Sequence, residues 1–581
     1  MTIQHRRPAD AEDPLAAHAS VERAVSALEQ GEQTWSGLTL GHRRRLLTDL
    51  IALVARHAEE WVEIAGRIKG LRPGSPLMGE EWISGPWAVL GYARALADTL
   101  ARLEKGEDPL SGFATRPAPG GRTAVEVLPH GIHDRLLLNG FSAEVWTRPG
   151  VTPEHLRSTA GLAQRDPSRT RGRALVLGAG NILSIAPLDT LYQLYAMNRV
   201  VALKPNPVTD PLRPVLEAVF APFIELGAVV VVAGGADVGS ALVRHPGIGA
   251  VHMTGSEATH DAIVWGPGER GTAAKAAGVP LLDKPVTSEL GGVAPVIVQP
   301  GRWSRADLRH QARHVATQRL HNGGSNCIAA QVVIVSRDWP QKAAFLDELR
   351  AALSAAPQRP AWYPGTEERV SRARALHETA ECVGGAPGRT LLPSLDLSDD
   401  SETAFRTEYF GPVLGVAELD GTGAYFLHSA VSAANDRLRG TLGANIVIDP
   451  RTRRDLRGDF DHAVQALHYG TIGVNAWTGV GYLVPYATWG AFPGHPLDDI
   501  QSGRGVVHNA GLLADVERTV VRGPFRPAPR SVLHGEWTIS PKPPWFVDNR
   551  TAATTGRRLV SFAARPRWSV LPGIFLSALR G

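Results

Sequence analysis

A cysteine at the end of a predicted helix is the first candidate for chemistry in this sequence. Cys327 closes the segment NGGSNC, between a helix predicted from Ser304 to Leu320 and an apolar stretch at 329–335. Two glycines relax this turn, so a thiol presented here could act as a nucleophile with backbone N–H groups facing a ligand. Free cysteine is also among the most buried residue types, so a small hydrophobic residue at the start of a strand is the alternative.

Two polar residues at strand ends are candidates to assist such a thiol. Glu289, in VTSELGG, is the only acid between Asp283 and Asp307, so it is either a general base of raised pKa or a solvated charge at a strand end. Asn181 follows an apolar strand in ALVLGAGN, where its amide N–H could hold an oxyanion or the residue could simply favour a left-handed turn. Leu183 stands where G-x-G-x-x-G requires its third glycine, so this segment is a weak dinucleotide fingerprint.

The segments that must position these residues predict a doubly wound parallel sheet. Short, almost wholly apolar strands alternate with helical stretches, the strands lying at 174–178, 200–205, 228–234 and 250–256. Strands of this kind are typical of a parallel sheet covered on both faces, whose ligands bind at the carboxyl ends of the strands. A second α/β domain is predicted by strands at 293–298, 329–335 and 413–419 and by helices near 304–320 and 341–355.

The flanking parts of the chain differ from this pattern. Apolar residues at helical spacing predict an amphipathic helical region from 21 to 102. Short strands at Val125 to Val127 and Ala143 to Thr147 lie in an irregular region at 115–171. Eight prolines in residues 523–581 predict an extended tail that wraps over the body, with Trp545 and Phe546 as its anchor.

The composition of the sequence is that of a globular protein and gives no sign of a nucleic-acid-binding function. The sequence is 43% hydrophobic and 20% charged, as in ordinary globular proteins, and its net charge of +4 gives no reason to expect a nucleic-acid partner. Only two cysteines and the absence of an apolar leader predict a cytoplasmic protein in a reducing compartment, with Cys382 an incidental thiol. The apolar segment from Trp568 to Leu579 is too short to span a bilayer but could lie on a membrane surface or against another subunit.

Several motifs, taken together, resemble the aldehyde dehydrogenase superfamily. The resemblance covers roughly residues 20 to 510, and its most specific parts are ELGG at 289–292, NGGSNC at 322–327 and EYFGPV at 408–413. Asn181, Lys204 in VVALKP, and Gly255 with Ser256 in HMTGS occur in the order and approximate spacing of that family. The chain is identified as a divergent member with a C-terminal extension.

The resemblance implies a role for each of these positions. Cys327 would be the nucleophile that forms a thiohemiacetal and then a thioester, Asn181 with the Cys327 N–H would hold the oxyanion, and Glu289 would activate water. NAD or NADP would be the cofactor and no metal would be needed. The implied cofactor-binding residues are Lys204, Gly255, Ser256, Leu290, Gly291, Glu408 and Phe410.

The resemblance also implies a domain order and partners. A small-molecule aldehyde would be the substrate, and a protruding strand segment would pair with a neighbouring subunit in a homodimer or homotetramer. The expected parts are an N-terminal helical part of the cofactor domain (1–114), an irregular β excursion as oligomerisation segment (115–172), the NAD(P)-binding domain (173–291), the catalytic domain (292–475), a funnel or interface loop with the return strand (476–522), and the proline-rich tail (523–581).

Departures from the family pattern keep other functions open. Pro207 replaces the acid that commonly binds the adenosine ribose, so NADP is not excluded, and His260 replaces a glycine near the pyrophosphate position. A CoA-acylating dehydrogenase, a non-catalytic scaffold and, more remotely, a cysteine hydrolase are therefore alternatives. His310 and His314 have metal-ligand spacing on one helix, but without a third ligand we interpret them as a solvated helix face.

Overall fold

The computed structural model describes residues 14–385 and 388–581. Its strands are β1 (Thr115–Ala118), β2 (Arg122–Leu128), β3 (Ser142–Thr147), β4 (Arg173–Leu177), β5 (Val200–Lys204), β6 (Val229–Val231), β7 (Ala250–Gly255), β8 (Val286–Leu290), β9 (Ala294–Val298), β10 (Ala330–Ser336), β11 (Glu381–Val383), β12 (Arg389–Leu395), β13 (Val413–Leu419), β14 (Gly443–Val447), β15 (Thr471–Val474), β16 (Thr488–Trp489), β17 (Gly503–Arg504), β18 (Val507–His508) and β19 (Val516–Arg522).

The α-helices surround these strands. They are α1 (Pro14–Gly37), α2 (Leu40–Ile68), α3 (Met78–Trp82), α4 (Ala88–Glu104), α5 (Ile132–Leu137), α6 (Pro153–Thr159), α7 (Ile185–Tyr195), α8 (Arg213–Val219), α9 (Ala221–Glu225), α10 (Ala236–Arg244), α11 (Glu257–Val264), α12 (Gly268–Ala276), α13 (Arg305–Leu320), α14 (Lys342–Ala355), α15 (Thr366–Leu376), α16 (Gly423–Arg437), α17 (Pro450–Leu456), α18 (Gly458–Ala466), α19 (Gly479–Leu483), α20 (Arg530–Leu533), α21 (Ala552–Ala564) and α22 (Leu571–Ala578).

The N-terminal helices follow the apolar spacing of the sequence. Thr39 caps α2 by accepting the N–H of His42, and Leu47, Leu50 and Val54 are fully buried on its inner face. Helix α2 packs along α4, and α1 packs against β5. The predicted helical region is confirmed, and α1 packs on the first sheet through β5.

The first sheet is the predicted doubly wound one. Its strand order is β17-β8-β7-β4-β5-β6, and all its pairs are parallel except that of the short β17 with β8. The chain runs outward from β4 through β5 to β6 and then returns to β7 on the other side of β4. This reversal between β4 and β7 is a topological switch point, and ligands of such sheets bind outside the carboxyl ends of the strands that flank it.

The second sheet has eleven strands in the order β1-β2-β3-β19-β15-β14-β9-β10-β13-β12-β11. Its centre, from β19 to β12, is parallel, and the strands predicted at 293–298, 329–335 and 413–419 appear there as β9, β10 and β13. Helices α13 and α14 pack together beside β10, with Val315 and Phe345 in the core between them and the sheet. The mixed α/β fold class is confirmed.

The strands at 115–147 pair within their own chain. Strand β3 pairs antiparallel to β19, and β19 continues the central sheet by pairing in parallel with β15. Arg518 of β19 ties this strand to the end of α18, because its guanidinium donates to the carbonyls of Val464 and Leu467 at 3.1 and 2.6 Å. The pairing of this segment with a neighbouring subunit, in a homodimer or homotetramer, stays a prediction.

The tail combines an extended part with three helices, α20, α21 and α22, that the proline count did not predict. Arg526 ties its start to α13 through two hydrogen bonds to Asp307, at 2.9 and 3.0 Å. Trp545 and Phe546 are buried, which confirms the predicted anchor. Residues 552–564 contain no proline, and their helix α21 buries an apolar face against α22 and α3. The extended form therefore holds for only part of the tail.

The same anchor corrects our interpretation of His310 and His314. Both imidazole rings stack on Phe546, each with 5.5 Å between ring centroids, and His314 is buried. Burial lowers the pKa of His314 to about 4. The helix face is therefore covered rather than solvated, because the tail folds back over it. None of the helices in the described residues has the length and apolarity needed to cross a bilayer.

Candidate active site

Cys327 follows a turn of left-handed backbone that contains two glycines. The segment after α13 takes left-handed backbone angles at Asn322, Gly323 and Gly324, with φ of 56°, 69° and 80°. A Cβ atom on Gly324 would lie 2.5 Å from the carbonyl oxygen of Gly411, so this position excludes a side chain. The turn delivers the thiol to a cleft ahead of β10, as the sequence predicted.

The backbone of this turn is held by a buried acid that sequence reasoning missed. Glu80 of α3 accepts the N–H of Asn322 at 2.9 Å and the guanidinium of Arg359 at 2.7 Å. The positive charge of Arg359 and these hydrogen bonds outweigh burial and lower the pKa of Glu80. The acid lies about 240 residues away in sequence, so no local pattern points to it.

Glu289 is the direct neighbour of the thiol. Its Oε1 accepts from the Cys327 sulfur at 3.4 Å and from the Trp489 indole Nε1 at 2.7 Å, and the residue is 2% exposed. Burial raises the pKa of Glu289 to about 7, against the opposing effect of the two hydrogen bonds. The solvated strand-end alternative is therefore wrong, and the carboxyl group can exchange a proton near neutral pH.

The thiol itself is kept protonated in this arrangement. Burial raises the pKa of Cys327 well above its usual value, and the nearby carboxylates of Glu289 and Glu408 raise it further. A thiolate would need to pass its proton to an adjacent base, and Glu289 is the base within reach. The geometry therefore places a proton acceptor on the nucleophile before any substrate is present.

Asn181 reaches the same loop from the other sheet. Its Nδ2 donates to the carbonyl of Ser325 at 3.0 Å, and the amide of Asn322 donates back to the Asn181 carbonyl at 3.0 Å. Both Asn181 and Cys327 line the cleft. One amide hydrogen of Asn181 holds the cysteine loop, and the other remains available for an oxygen bound beside the sulfur.

A cleft of about 1050 Å³ joins these groups to the switch point of the first sheet. It is lined by the segments that follow β4, β5 and β7, and by Cys327 and Glu289 at one end. The predicted cofactor-binding residues that line it are Lys204, Gly255, Ser256, Gly291, Glu408 and Phe410. The structure thus brings six of the seven to a single cavity.

The residues of this cleft fit a nicotinamide dinucleotide. Ser256 caps α11 beside the cleft, so the start of that helix can receive a phosphate. The Glu408 carboxyl group has a buried Oε1 without a hydrogen-bond partner among the described residues, which suits a ribose hydroxyl donor. A Cβ on Gly291 would lie 2.1 Å from the Glu408 oxygens, so glycine permits this close approach.

Two positions behave differently from their prediction. Leu290 is 1% exposed and packs with Met253 and Ile500 instead of lining the cleft, because side chains alternate along β8 and Glu289 takes the cleft side. His260 is 1% exposed and also lies outside the cleft lining, with its Nδ1 3.3 Å from Asp261. It therefore does not crowd the phosphate position.

Residues 476–522 were predicted to form a funnel or interface loop with the return strand, which stays a prediction; within this segment, Trp489 donates a hydrogen bond to Glu289. Trp489 is 1% exposed, and β17 further along pairs with β8, placing Gly503 opposite Glu289. The sequence analysis missed the Trp489 indole as a donor, because the local sequence ATWGAF does not indicate a hydrogen bond to Glu289, 200 positions away. Tyr363 and Arg369 also line the cleft and were missed.

A second buried polar group lies behind Glu289. Asp189 of α7 is fully buried, accepts from Thr254 at 3.1 Å and lies 3.3 Å from His252 Nε2. The other nitrogen of His252 lies 2.9 Å from the hydroxyl oxygen of Thr287. The negative charge of Asp189 adds to burial in raising the pKa of Glu289.

We expect two substitutions to move the acidic limb of the turnover rate in opposite directions. Asp189→Asn removes a negative charge, which lowers the pKa of Glu289. Its carboxylate then stays deprotonated at lower pH, and the acidic limb moves to lower pH. Trp489→Phe removes a hydrogen bond that favours the carboxylate, which raises that pKa and moves the limb to higher pH. Turnover measured from pH 5 to 9 checks both signs, with Asp134→Asn as a control. Shifts of the same sign in both variants would contradict the assignment.

The fold and the site define a two-lobed α/β protein with a cysteine–glutamate pair at the switch point of a doubly wound sheet. A profile of the aldehyde dehydrogenase family matches residues 181–490. The chain belongs to this family and is therefore an oxidoreductase of aldehydes.

Individual relatives are distant. A 3,6-anhydro-alpha-L-galactose dehydrogenase of Streptomyces coelicolor is 26% identical over 494 residues, which cover 80% of this chain and 82% of that protein. The structure of gamma-glutamyl-gamma-aminobutyraldehyde dehydrogenase from Burkholderia cenocepacia aligns with a TM-score of 0.56 at 21% identity, over 88% of each chain. An indole-3-acetaldehyde dehydrogenase complexed with NAD+ aligns with a TM-score of 0.56 at 19% identity, over 88% of this chain and 89% of that one.

Proposed function

We propose that this protein oxidises an aldehyde to a carboxylic acid with a nicotinamide dinucleotide, through covalent catalysis by Cys327. The observation that carries the proposal is the 3.4 Å contact between the Cys327 sulfur and the Glu289 carboxylate, in a cleft continuous with the switch point. A structural cysteine would not need a buried carboxyl partner of raised pKa.

The first bond forms between sulfur and the aldehyde carbon. Glu289 takes the thiol proton, the sulfur attacks the carbonyl, and the Asn181 amide donates to the oxygen that becomes negative. Loss of one such donor typically costs about 3 kcal/mol of transition-state stabilisation. Cys327 thus holds a thiohemiacetal whose carbon carries the hydrogen to be removed.

A bound nicotinamide supplies the acceptor for that hydrogen as hydride. Lys204, Ser256 and Glu408 would hold the dinucleotide in the cleft, and Phe410 would lie against its nicotinamide end. Phe410 has a φ of 45° and packs edge-on to Tyr363 at 4.9 Å, so its ring is fixed. The NAD complex of the indole-3-acetaldehyde dehydrogenase relative supports this cofactor class.

Hydrolysis of the thioester is the second task of Glu289. Glu289 first passes the proton that it took from the thiol to solvent, which a carboxyl group of pKa about 7 can do at neutral pH. The carboxylate then removes a proton from water as the water attacks the thioester carbon. Sulfur then leaves, regenerating Cys327, and the acid is released. Trp489 holds Oε1, which leaves Oε2 without a partner among the described residues and able to accept from that water.

The same geometry argues against the CoA-acylating alternative. Transfer of the acyl group to another thiol has little use for a buried water-activating base next to the sulfur. A non-catalytic scaffold is disfavoured as well, since Pro207 lines the open cleft and His260 stays clear of it. An assay for acid and for acyl-CoA products, run on the same reaction, distinguishes these functions.

The charges that line the cleft favour a dinucleotide with a 2′-phosphate on its adenosine ribose. Lys204, Arg244 and Arg270 line the cleft, whereas its lining carboxylates, Glu289 and Glu408, belong to the catalytic end. Pro207 occupies the position at which the resemblance predicts an acid. We therefore propose that NADP is accepted.

We expect Pro207→Glu to weaken NADP+ binding by at least about tenfold, because a carboxylate would repel the 2′-phosphate at close range. NAD+ affinity should fall less or improve. Fluorescence titration with both dinucleotides measures this, with Pro207→Gln as the control for size without charge. Equal losses for both cofactors in the Glu variant, matched by Gln, would contradict a 2′-phosphate site.

The proposed function is tested by stopped-flow measurement of NAD(P)H formation with a panel of short and long aldehydes. We expect turnover that yields one acid per NAD(P)H. The aromatic residues at 477–489 near the site, including Tyr482 stacked edge-on to Trp489 at 5.2 Å, favour apolar aldehydes. Absence of NAD(P)H formation with every aldehyde would reject the proposal.

A further inference from the structure

The C-terminal helix exposes an apolar stripe within a tail segment that contains arginines and no acids. Trp568, Pro572, Leu576 and Leu579 follow one another at intervals of four, four and three residues, and so share one side of the final helical segment. Trp568, Leu576 and Leu579 are 62%, 52% and 65% exposed. Their neighbours Leu571 and Ile574 are buried on the opposite side. The helix is therefore apolar on both faces, and one face is uncovered.

The stripe is displayed on a firm support. Leu571 and Ile574 pack on Leu559 and Phe562 of α21. The Thr551 hydroxyl donates to the Ser577 carbonyl at 2.7 Å, and α21 packs closely on α3. Because α22 is held in this orientation, the exposed side chains cannot be buried by rotation of the helix.

Within the tail segment that carries the stripe, all charges have one sign, and its Arg557 pairs with Glu59 of α2. Residues 549–581 contain six arginines and neither aspartate nor glutamate. Arg565, Arg567 and Arg580 flank the stripe, are exposed, and form no ion pair with the described residues. A cationic rim around exposed Trp and Leu is the pattern of surfaces that lie in the interface of an anionic membrane, where the apolar side chains enter the acyl boundary and the guanidinium groups meet phosphate.

We propose that α22 and the preceding turn at Trp568 form a docking surface for an anionic lipid bilayer. This inference concerns the tail and is independent of the reaction at Cys327. The helix is too short to span, so attachment is peripheral and reversible, and it weakens with salt. A peripheral position would give the cleft access to aldehydes that partition into lipid.

The test is co-sedimentation of the full chain with vesicles of phosphatidylcholine alone or mixed with phosphatidylglycerol. We expect binding to the mixed vesicles, reduced by salt, and at least about tenfold less binding to phosphatidylcholine. The double variant Leu576→Glu and Leu579→Glu should lose the binding. Both residues are exposed, so it should fold, and unchanged aldehyde oxidation verifies this. Val279→Glu, at an apolar residue 61% exposed elsewhere, is the matched control.

The other occupant of such a face is a second copy of this chain. Light scattering of the wild type and the double variant measures it. The lipid proposal would be overturned if the double variant had half the solution mass of the wild type. It would also be overturned if the wild type did not bind vesicles that contain phosphatidylglycerol. Equal loss of binding in the Val279→Glu variant would overturn it as well.

Discussion

Replacing Cys327 by alanine should reduce aldehyde oxidation by at least about a thousandfold while leaving dinucleotide binding intact. Without the sulfur no covalent intermediate forms, and the remaining groups can only bind and polarise the aldehyde. The thiol is half-buried at one end of the cleft, whereas the predicted dinucleotide contacts extend away from it toward the switch point. NAD(P)H formation and dinucleotide titration on the same sample measure the two effects.

The chain supplies its own control for this experiment. Cys382, the second cysteine, is exposed on β11 at the edge of the second sheet. Cys382→Ala should therefore keep full activity. Iodoacetamide should inactivate the wild type and the Cys382 variant alike. Retained turnover in the Cys327→Ala variant would show that Cys327 is not the nucleophile.

Replacing Glu289 by glutamine should separate the two halves of the reaction. The amide cannot take a proton from water, so the thioester should persist, and turnover should fall by about two to four orders of magnitude. A first turnover should still release one NAD(P)H per site, because removal of the carboxylate lowers the pKa of Cys327, so that the thiol proton can pass to water instead of Glu289. Stopped-flow fluorescence measures the burst, and steady-state rates measure the loss.

The reactivity of the Cys327 thiol towards iodoacetamide gives a second readout for the Glu289→Gln variant. With the negative charge removed, Cys327 should ionise at lower pH and react faster with iodoacetamide at pH 7. Glu402→Gln, which alters a carboxylate bound to His377 away from the cleft, should change neither quantity. Full steady-state turnover in Glu289→Gln would contradict its role in hydrolysis.

Much of the fold follows from local sequence pattern. Strands such as Val200–Lys204 and Ala330–Ser336 are buried on both faces, so their sequences are continuously apolar and recognisable. The cysteine turn was predictable for a similar reason, since left-handed backbone at Gly323 and Gly324 requires glycine. The local pattern left the roles of Cys327, Glu289 and Asn181 open, and the family resemblance named them before their geometry was known.

Long-range contacts could not be predicted in this way. The Trp489 indole bound to Glu289, and Glu80 bound to the cysteine loop, join residues about 200 or more positions apart. The covering of His310 and His314 by Phe546 depends on where the tail folds, which no helical periodicity encodes. In-chain pairing of β19 with β15 likewise depends on the path of the intervening residues 475–515.

The central claim is that Cys327 carries the acyl group. The most direct measurement is intact and peptide mass spectrometry of the Glu289→Gln variant after mixing with an aldehyde and NAD(P)+. The account predicts an increase in mass equal to the acyl group, less one hydrogen, located on the peptide that contains Cys327 and absent when the dinucleotide is left out. An unmodified Cys327 in a variant that has released a burst of NAD(P)H, or an acyl group on another residue, would contradict it.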